Sequence, residues 1–257
     1  MIQAKLCGRM GNQMFQYAVA RIVAESKGYN FYIPEFGDPS IDSSTEGHHL
    51  SNFFPGINLG VKDGDIIHNY YEDHTIQKYN PKIFNIPDYT YLNGFFQTDK
   101  YFINKEEEVK SYFQIVEDSK TLDILRRYNI NDYCYIHIRA SDYLKHEHWF
   151  LDKSFYINSM NYISSLKNIN FLIITDDIET CNKMFPDIES ISNDMITDFK
   201  LLYYAKYSII SNSTFSWWAA WLSNKSIVIA PNHWLNHNKP ERGFYPVDIK
   251  SLKFKYV

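Results

Sequence analysis

The chain has little of what marks a disulfide, metal or membrane protein. Only three cysteines occur among 257 residues, Cys7, Cys134 and Cys181. Their odd number and wide spacing exclude a disulfide framework and a paired metal-ligand motif. They read as buried thiols of a reducing compartment, so a cytoplasmic location is expected. No run of about 18 apolar residues is present, and the N-terminus lacks the apolar core of a signal peptide, which predicts no integral membrane segment. Basic excess is also missing. A formal net charge of −4, with no basic stripe and no heptad pattern, argues against nucleic acid as a partner and against a coiled coil. Neither G-x-G-x-x-G nor a glycine loop followed by Gly-Lys-Ser/Thr occurs, so a dinucleotide fingerprint and a Walker loop are poor matches. Internal repeats and low-complexity linkers are likewise lacking.

What is present is a normal apolar share of 45% and a high aromatic share of 17%, enough for a sizeable core. A short apolar stub, Ile2–Leu6, runs into Gly8-Arg9-Met10-Gly11-Asn12-Gln13 and then a helical pattern from Met14 to Ala24. This reads as strand, glycine loop and helix, with Asn12 and Gln13 where a helix N-terminus would face a ligand; an ordinary βα turn is the plainer alternative. Residues 29–88 are loop-rich and punctuated by prolines, with short strands expected at 30–33 and 65–68. Residues 90–96 read as a strand, and 99–113 and 118–129 as helices. A second series follows: strands at 133–139, 171–175, 207–211 and 226–230, and helices at 155–166, 178–184, 198–205 and 216–222. Alternation with short connections predicts an α/β protein with mostly parallel sheets, in two Rossmann-like halves, 1–120 and 121–257, facing a cleft.

Three segments carry chemistry. His137-Ile138-Arg139-Ala140-Ser141-Asp142-Tyr143 ends a strand, where ligands of α/β sheets bind. Arg139 offers a planar fork to phosphate oxygens, His137 could orient a hydroxyl or phosphate, and Asp142 could fix Arg139; a purely local ion pair is the alternative. Ser211-Asn212-Ser213-Thr214-Phe215-Ser216 precedes an apolar helix. Ser213, Thr214 or Ser216 can cap that helix, whose dipole also favours an anion. Trp217, Trp218 and Trp221 read as core. Thr175-Asp176-Asp177 ends another strand; an acidic residue there can accept from a nucleobase edge or a ribose, or Asp177 can cap the next helix. Asp63-Gly64-Asp65 reads as a turn rather than a metal motif.

The ordered set resembles the α-1,2-fucosyltransferase family, glycosyltransferase family 11. Gly8–Ala18 is similar to its opening signature, Gly94–Phe102 to its mid-chain Gly-aromatic-aromatic-Gln segment, and His137–Tyr143 to the His-x-Arg-Arg-Gly-Asp-Tyr motif. Thr175–Cys181 and Ser211–Leu222 match later motifs. The resemblance implies a glycosyltransferase-B fold and inverting, metal-independent transfer of L-fucose from GDP-β-L-fucose, the donor substrate, with no cofactor. The implied acceptor is a glycan hydroxyl, by analogy galactose O2. It implies that Arg139 holds the β-phosphate, that Ser213, Thr214, Phe215 and Ser216 line the donor pocket, that Asp176, with Asp177 behind it, meets guanine, and that Asn12 and His137 join the donor site. Ala140 replaces the family's second arginine, and Ser141 its glycine. If Arg139 carries the phosphate contact, one lost charge-assisted bond costs roughly 1.5–3 kcal/mol. If the second arginine carried it, the chain would use another nucleotide sugar or be an inactive binding homologue. Spacing selects no general base among Asp142, Asp38, Glu46, His48, His49, His68 and His74.

Overall fold

The computed structural model describes residues 1–35, 49–146, 148–224, 227–235 and 246–257. Two compact units are present. The first is Met1–Ile115 with a returning segment that ends at Ser251; the second starts at Val116 and includes Leu252–Val257.

The first unit carries a four-stranded sheet, β1 (Ile2–Ala4), β2 (Phe31–Tyr32), β3 (His68–Tyr71) and β4 (Thr90–Asn93), in the order β2-β1-β4-β3. Its pairings are parallel, with Ile2 opposite both Phe31 and Thr90. Helix α1 (Met10–Lys27) buries most of its length, including Met14, Phe15, Tyr17, Ala18 and Val19. It ends at Gly28, whose φ of +69° needs a residue without Cβ, and Tyr29 N–H returns to Ala24 O at 2.9 Å. The helix starts earlier than its apolar pattern predicts. Asn12 and Gln13 therefore lie in its first turn, with both N–H groups donating to Arg9 O.

Two further expectations shift. The strand expected at 65–68 forms at His68–Tyr71 instead, mostly exposed at the sheet edge, where exposure of both faces leaves no alternation to read. The helix expected over 99–113 is two 3₁₀ turns followed by α2 (Glu106–Tyr112). Phe102 interrupts it with a φ of −144° while burying its ring.

The second unit carries a six-stranded sheet: β5 (Tyr133–Ile138), β6 (Asn170–Thr175), β7 (Ser190–Ile191), β8 (Tyr207–Ile209), β9 (Ile227–Ala230) and β10 (Lys255–Tyr256), ordered β10-β9-β8-β5-β6-β7. Among the described residues, all its pairings are parallel. Helices α3 (Ser119–Arg127), α4 (Lys153–Leu166), α5 (Ile178–Met184), α6 (Met195–Tyr204) and α7 (Thr214–Leu222) connect the strands. Central β5 and β6 are near-continuous apolar runs because both faces are covered. Trp217, Trp218 and Trp221 are fully buried, and Trp217 stacks on Trp221 at 6.0 Å. At the far end of α7, Lys253 Nζ donates to Trp221 O at 2.8 Å, a cation on the negative helix terminus. The α/β class and parallel sheets are as expected. Among the described residues, no helix is long and apolar enough to cross a membrane.

Candidate functional site

Strands β8, β5 and β6 are neighbours, so the segments after their carboxyl ends gather along one edge of the second unit's sheet. That adjacency joins segments far apart in the chain, His137 and Ser211 being 74 residues apart.

Arg139 leaves β5 and is clamped by two carboxylates. Its guanidinium meets Asp142 Oδ1 at 2.6 Å and Asp176 Oδ2 at 2.5 Å. Asp176 Oδ1 accepts the backbone N–H of Ala140 at 2.8 Å and of Ser141 at 3.3 Å. Both Asp176 oxygens are thus committed to the arginine loop. Asp176 thus holds Arg139, beside the guanine contact that the resemblance implies for it. The guanidinium lies on the Tyr143 ring, 5.8 Å from its centroid, and Tyr143 OH donates to Asn212 O at 3.1 Å. One arginine between two aspartates has a formal net charge of −1. The cluster offers a fixed fork of donors rather than surplus positive charge.

The departures at 140 and 141 have a structural content. Ala140 is fully buried. Ser141 Oγ donates to Asp176 O at 3.0 Å, a bond that glycine could not make. The replaced glycine therefore adds a tie between the two strand ends.

His137 is buried, its Nδ1 2.8 Å from Ser211 Oγ and its ring 5.5 Å from Phe215. Burial pulls its pKa down to about 4, against the opposing charge of Asp176. The imidazole is therefore neutral at pH 7 and tethers the β5 end to the segment after β8. Asp177 is the N-cap of α5, its Oδ1 accepting Thr180 N–H at 3.0 Å and its Oδ2 the Thr180 hydroxyl at 2.8 Å. Capping is the role the structure gives it.

Ser213 is the N-cap residue of α7, but its side chain makes no capping bond. Ser216 is fully buried and donates to Ser213 O at 3.2 Å, so its hydroxyl serves the helix interior. Thr214 and Phe215 remain half-buried, and Phe215 also meets Phe199 of α6 edge-on at 5.4 Å. Of the four residues expected at the α7 start, Thr214 and Phe215 are half-buried and Ser213 and Ser216 are buried.

Asn12 belongs to the first unit, where Gln97 Nε2 donates to its Oδ1 at 2.9 Å. Gln13 turns inward, fully buried, and bonds Gly8 O at 2.8 Å, which corrects its placement as a ligand-facing residue. Among the general-base candidates, His49 is buried, with Nδ1 2.7 Å from Ser51 Oγ and Nε2 3.0 Å from Pro34 O, a structural histidine. His68 and His74 are exposed. Asp38, Glu46 and His48 lie outside the described residues. The sequence reading missed Asn212. Its Nδ2 donates to both Trp149 O and Trp234 O at 2.7 Å, pinning two loops at the site's rim. Only its position between Ser211 and Ser213 hinted at this.

Fold and site together define a parallel α/β protein with a held arginine, a neutral histidine and a helix start at adjoining strand ends, an arrangement suited to a phosphorylated ligand. The sequence profile of glycosyl transferase family 11 matches residues 1–243. The chain belongs to glycosyl transferase family 11, and it is a glycosyltransferase of fucosyltransferase type. It is 29% identical to an alpha-1,2-colitosyltransferase of Escherichia coli, over 93% of each chain. It is 23% identical to galactoside alpha-(1,2)-fucosyltransferase 1 of Leontocebus fuscicollis, over 95% of this chain and 75% of that one. Among solved structures, the NodZ alpha-1,6-fucosyltransferase soaked with GDP-fucose superposes with a TM-score of 0.47 at 12% identity, covering 86% of this chain and 92% of that chain.

Proposed function

We propose that the protein is a glycosyltransferase-B-type enzyme that moves a 6-deoxyhexose, L-fucose in the first instance, from its GDP ester to a glycan hydroxyl, by analogy galactose O2, with inversion and without a metal. The observation that carries this reading is the clamped Arg139 at the end of β5 in a family 11 chain. Negative charge grows on the departing β-phosphate as the anomeric bond breaks. A prepositioned guanidinium and the α7 N-terminus stabilise that charge more in the transition state than in the ground state. Asp142 and Asp176 hold the fork in place before the donor arrives, so little reorganisation is left for the reaction. His137, neutral, keeps the two strand ends together. Thr214 and Phe215 line the donor pocket, and Asn12 keeps the donor-binding role given by the family resemblance.

A second donor has a specific observation behind it. The relative at 29% identity transfers colitose, so GDP-colitose belongs beside GDP-fucose. A donor panel of GDP-fucose, GDP-colitose, GDP-mannose and UDP-sugars, read as GDP or UDP release with a galactose-terminated acceptor, tests the reading. Turnover with GDP-fucose above the others is the expected result. Preference for GDP-colitose moves the donor and keeps the chemistry. Turnover with UDP-sugars alone would refute the proposal.

A further inference from the structure

The first unit holds a buried polar chain that the steps above do not use. Glu72, just after β3, is buried. Its carboxylate accepts the backbone N–H of Phe95 at 2.7 Å and of Phe96 at 3.0 and 3.1 Å. Phe96 stands at a φ of +53°, a left-handed conformation that residues with a Cβ seldom adopt. The two bonds to Glu72 hold the backbone there. Gly94 gives the carboxylate its room, since a Cβ at that position would lie 2.5 Å from Glu72 Cβ.

The held bend delivers the next residue, Gln97, which is buried and donates from Nε2 to Asn12 Oδ1 at 2.9 Å. The other edge of the Asn12 amide lies against Gly8. A Cβ added to Gly8, whose φ is +72°, would come within 2.5 Å of Asn12 Nδ2. The hydrogen bond donated by Gln97 is what orients the amide, through its oxygen, while Gly8 leaves the room beside its NH2 group. The two edges of an amide have opposite chemistry, one accepting and one donating. They are nearly equal in size, so shape alone selects neither.

We infer that Gln97 and Glu72 are positioning residues for Asn12: Gln97 sets which edge of the Asn12 amide faces the sugar nucleotide, and Glu72 sets Gln97 through the backbone of Phe95 and Phe96. The inference rests on the donor-binding role proposed for Asn12. A sugar diphosphate presents mainly acceptor oxygens. An amide held with its oxygen occupied and its NH2 group fixed suits such a ligand, and a reversed amide would set oxygen against oxygen.

The test measures kcat and KM of the full-length protein with the GDP-sugar that the donor panel selects, together with thermal melting. The variants are Asn12→Ala, Gln97→Met and the double variant. Gln97→Met keeps length and removes the donated bond. It should lower kcat roughly tenfold, as expected for a small misplacement at a reacting centre, and melt as a folded protein. In the double variant it should add no further loss to that of Asn12→Ala, which is coupling that a merely structural role does not produce. Glu72→Gln, which retains one carbonyl acceptor, should show the same coupling to Asn12 with a smaller loss. If Gln97→Met fails to fold, Gln97→Leu enters the same cycle. Wild-type kcat in the Gln97 variant beside a damaged Asn12→Ala would overturn the positioning role and leave Asn12 in the donor site. Additive losses would overturn it as well. Wild-type turnover in both single variants would instead remove Asn12 from the donor site, and this inference with it.

Discussion

Arg139 shows how a side chain's use depends on its holders. The guanidinium spends one nitrogen on Asp142 and another on Asp176. Arg139→Ala should lose most of kcat with the selected GDP-sugar, because it removes the group proposed to meet the leaving charge. Arg139→Lys keeps the charge, yet a point ammonium cannot span both carboxylates in a planar fork; its turnover should also fall, by roughly a hundredfold. Steady-state assays decide, and near-wild-type turnover of Arg139→Ala would exclude the central role. Arg139 was legible in the sequence as a candidate, from its place after an apolar strand. Its two partners were only half legible: Asp142 is three residues away, whereas Asp176 reaches it only because β5 and β6 pair.

Elements explain why some polar residues are taken up by the chain itself. A carboxylate at a strand end can serve a neighbouring loop or the next helix, and the chain has one of each. Asp176 turns back to the arginine loop, while Asp177 caps α5. Asp177→Ala should cost about 1 kcal/mol of stability, the usual worth of an N-cap, visible as a lower urea midpoint at unchanged slope. A loss of GDP affinity with no loss of stability would contradict the capping role. The same logic applies to α1. Its apolar periodicity was readable, but its start was not, because the turn at Gly8 and the carbonyl of Arg9 set it. Gln13 was read at a ligand-facing helix start and Ser216 as a cap or donor-pocket residue; both side chains are buried, Gln13 donating to Gly8 O and Ser216 to Ser213 O.

At the scale of the molecule, two buried titratable groups in the second unit pull in opposite directions. His137, with its folded pKa down near 4, binds fewer protons folded than unfolded, so its contribution to stability is lost as pH falls from about 6.5 toward 4. Asp198 of α6 is pushed up to about 6 by burial, despite hydrogen bonds from Asn193. It binds more protons folded than unfolded, so it stabilises as pH falls through the same window. Each effect is of order 3 kcal/mol, and together they nearly cancel. Urea melts at pH 4 to 6.5 should therefore show Asp198→Asn losing stability on acidification more steeply than wild type. His137→Gln should lose it less steeply than wild type. Parallel pH profiles for all three proteins would refute this balance.

Local order by itself determined the alternation of strand and helix, the buried tryptophan helix α7 and the candidate arginine. These follow from periodicity and from the composition of single segments, which act over a few residues. Only the tertiary structure decided which strand ends stand together, that Asp176 grips Arg139, that His137 is buried and neutral, and that Gln97 sets the Asn12 amide from 85 residues away. Such pairings depend on strand order and burial, and no run of neighbouring residues encodes them.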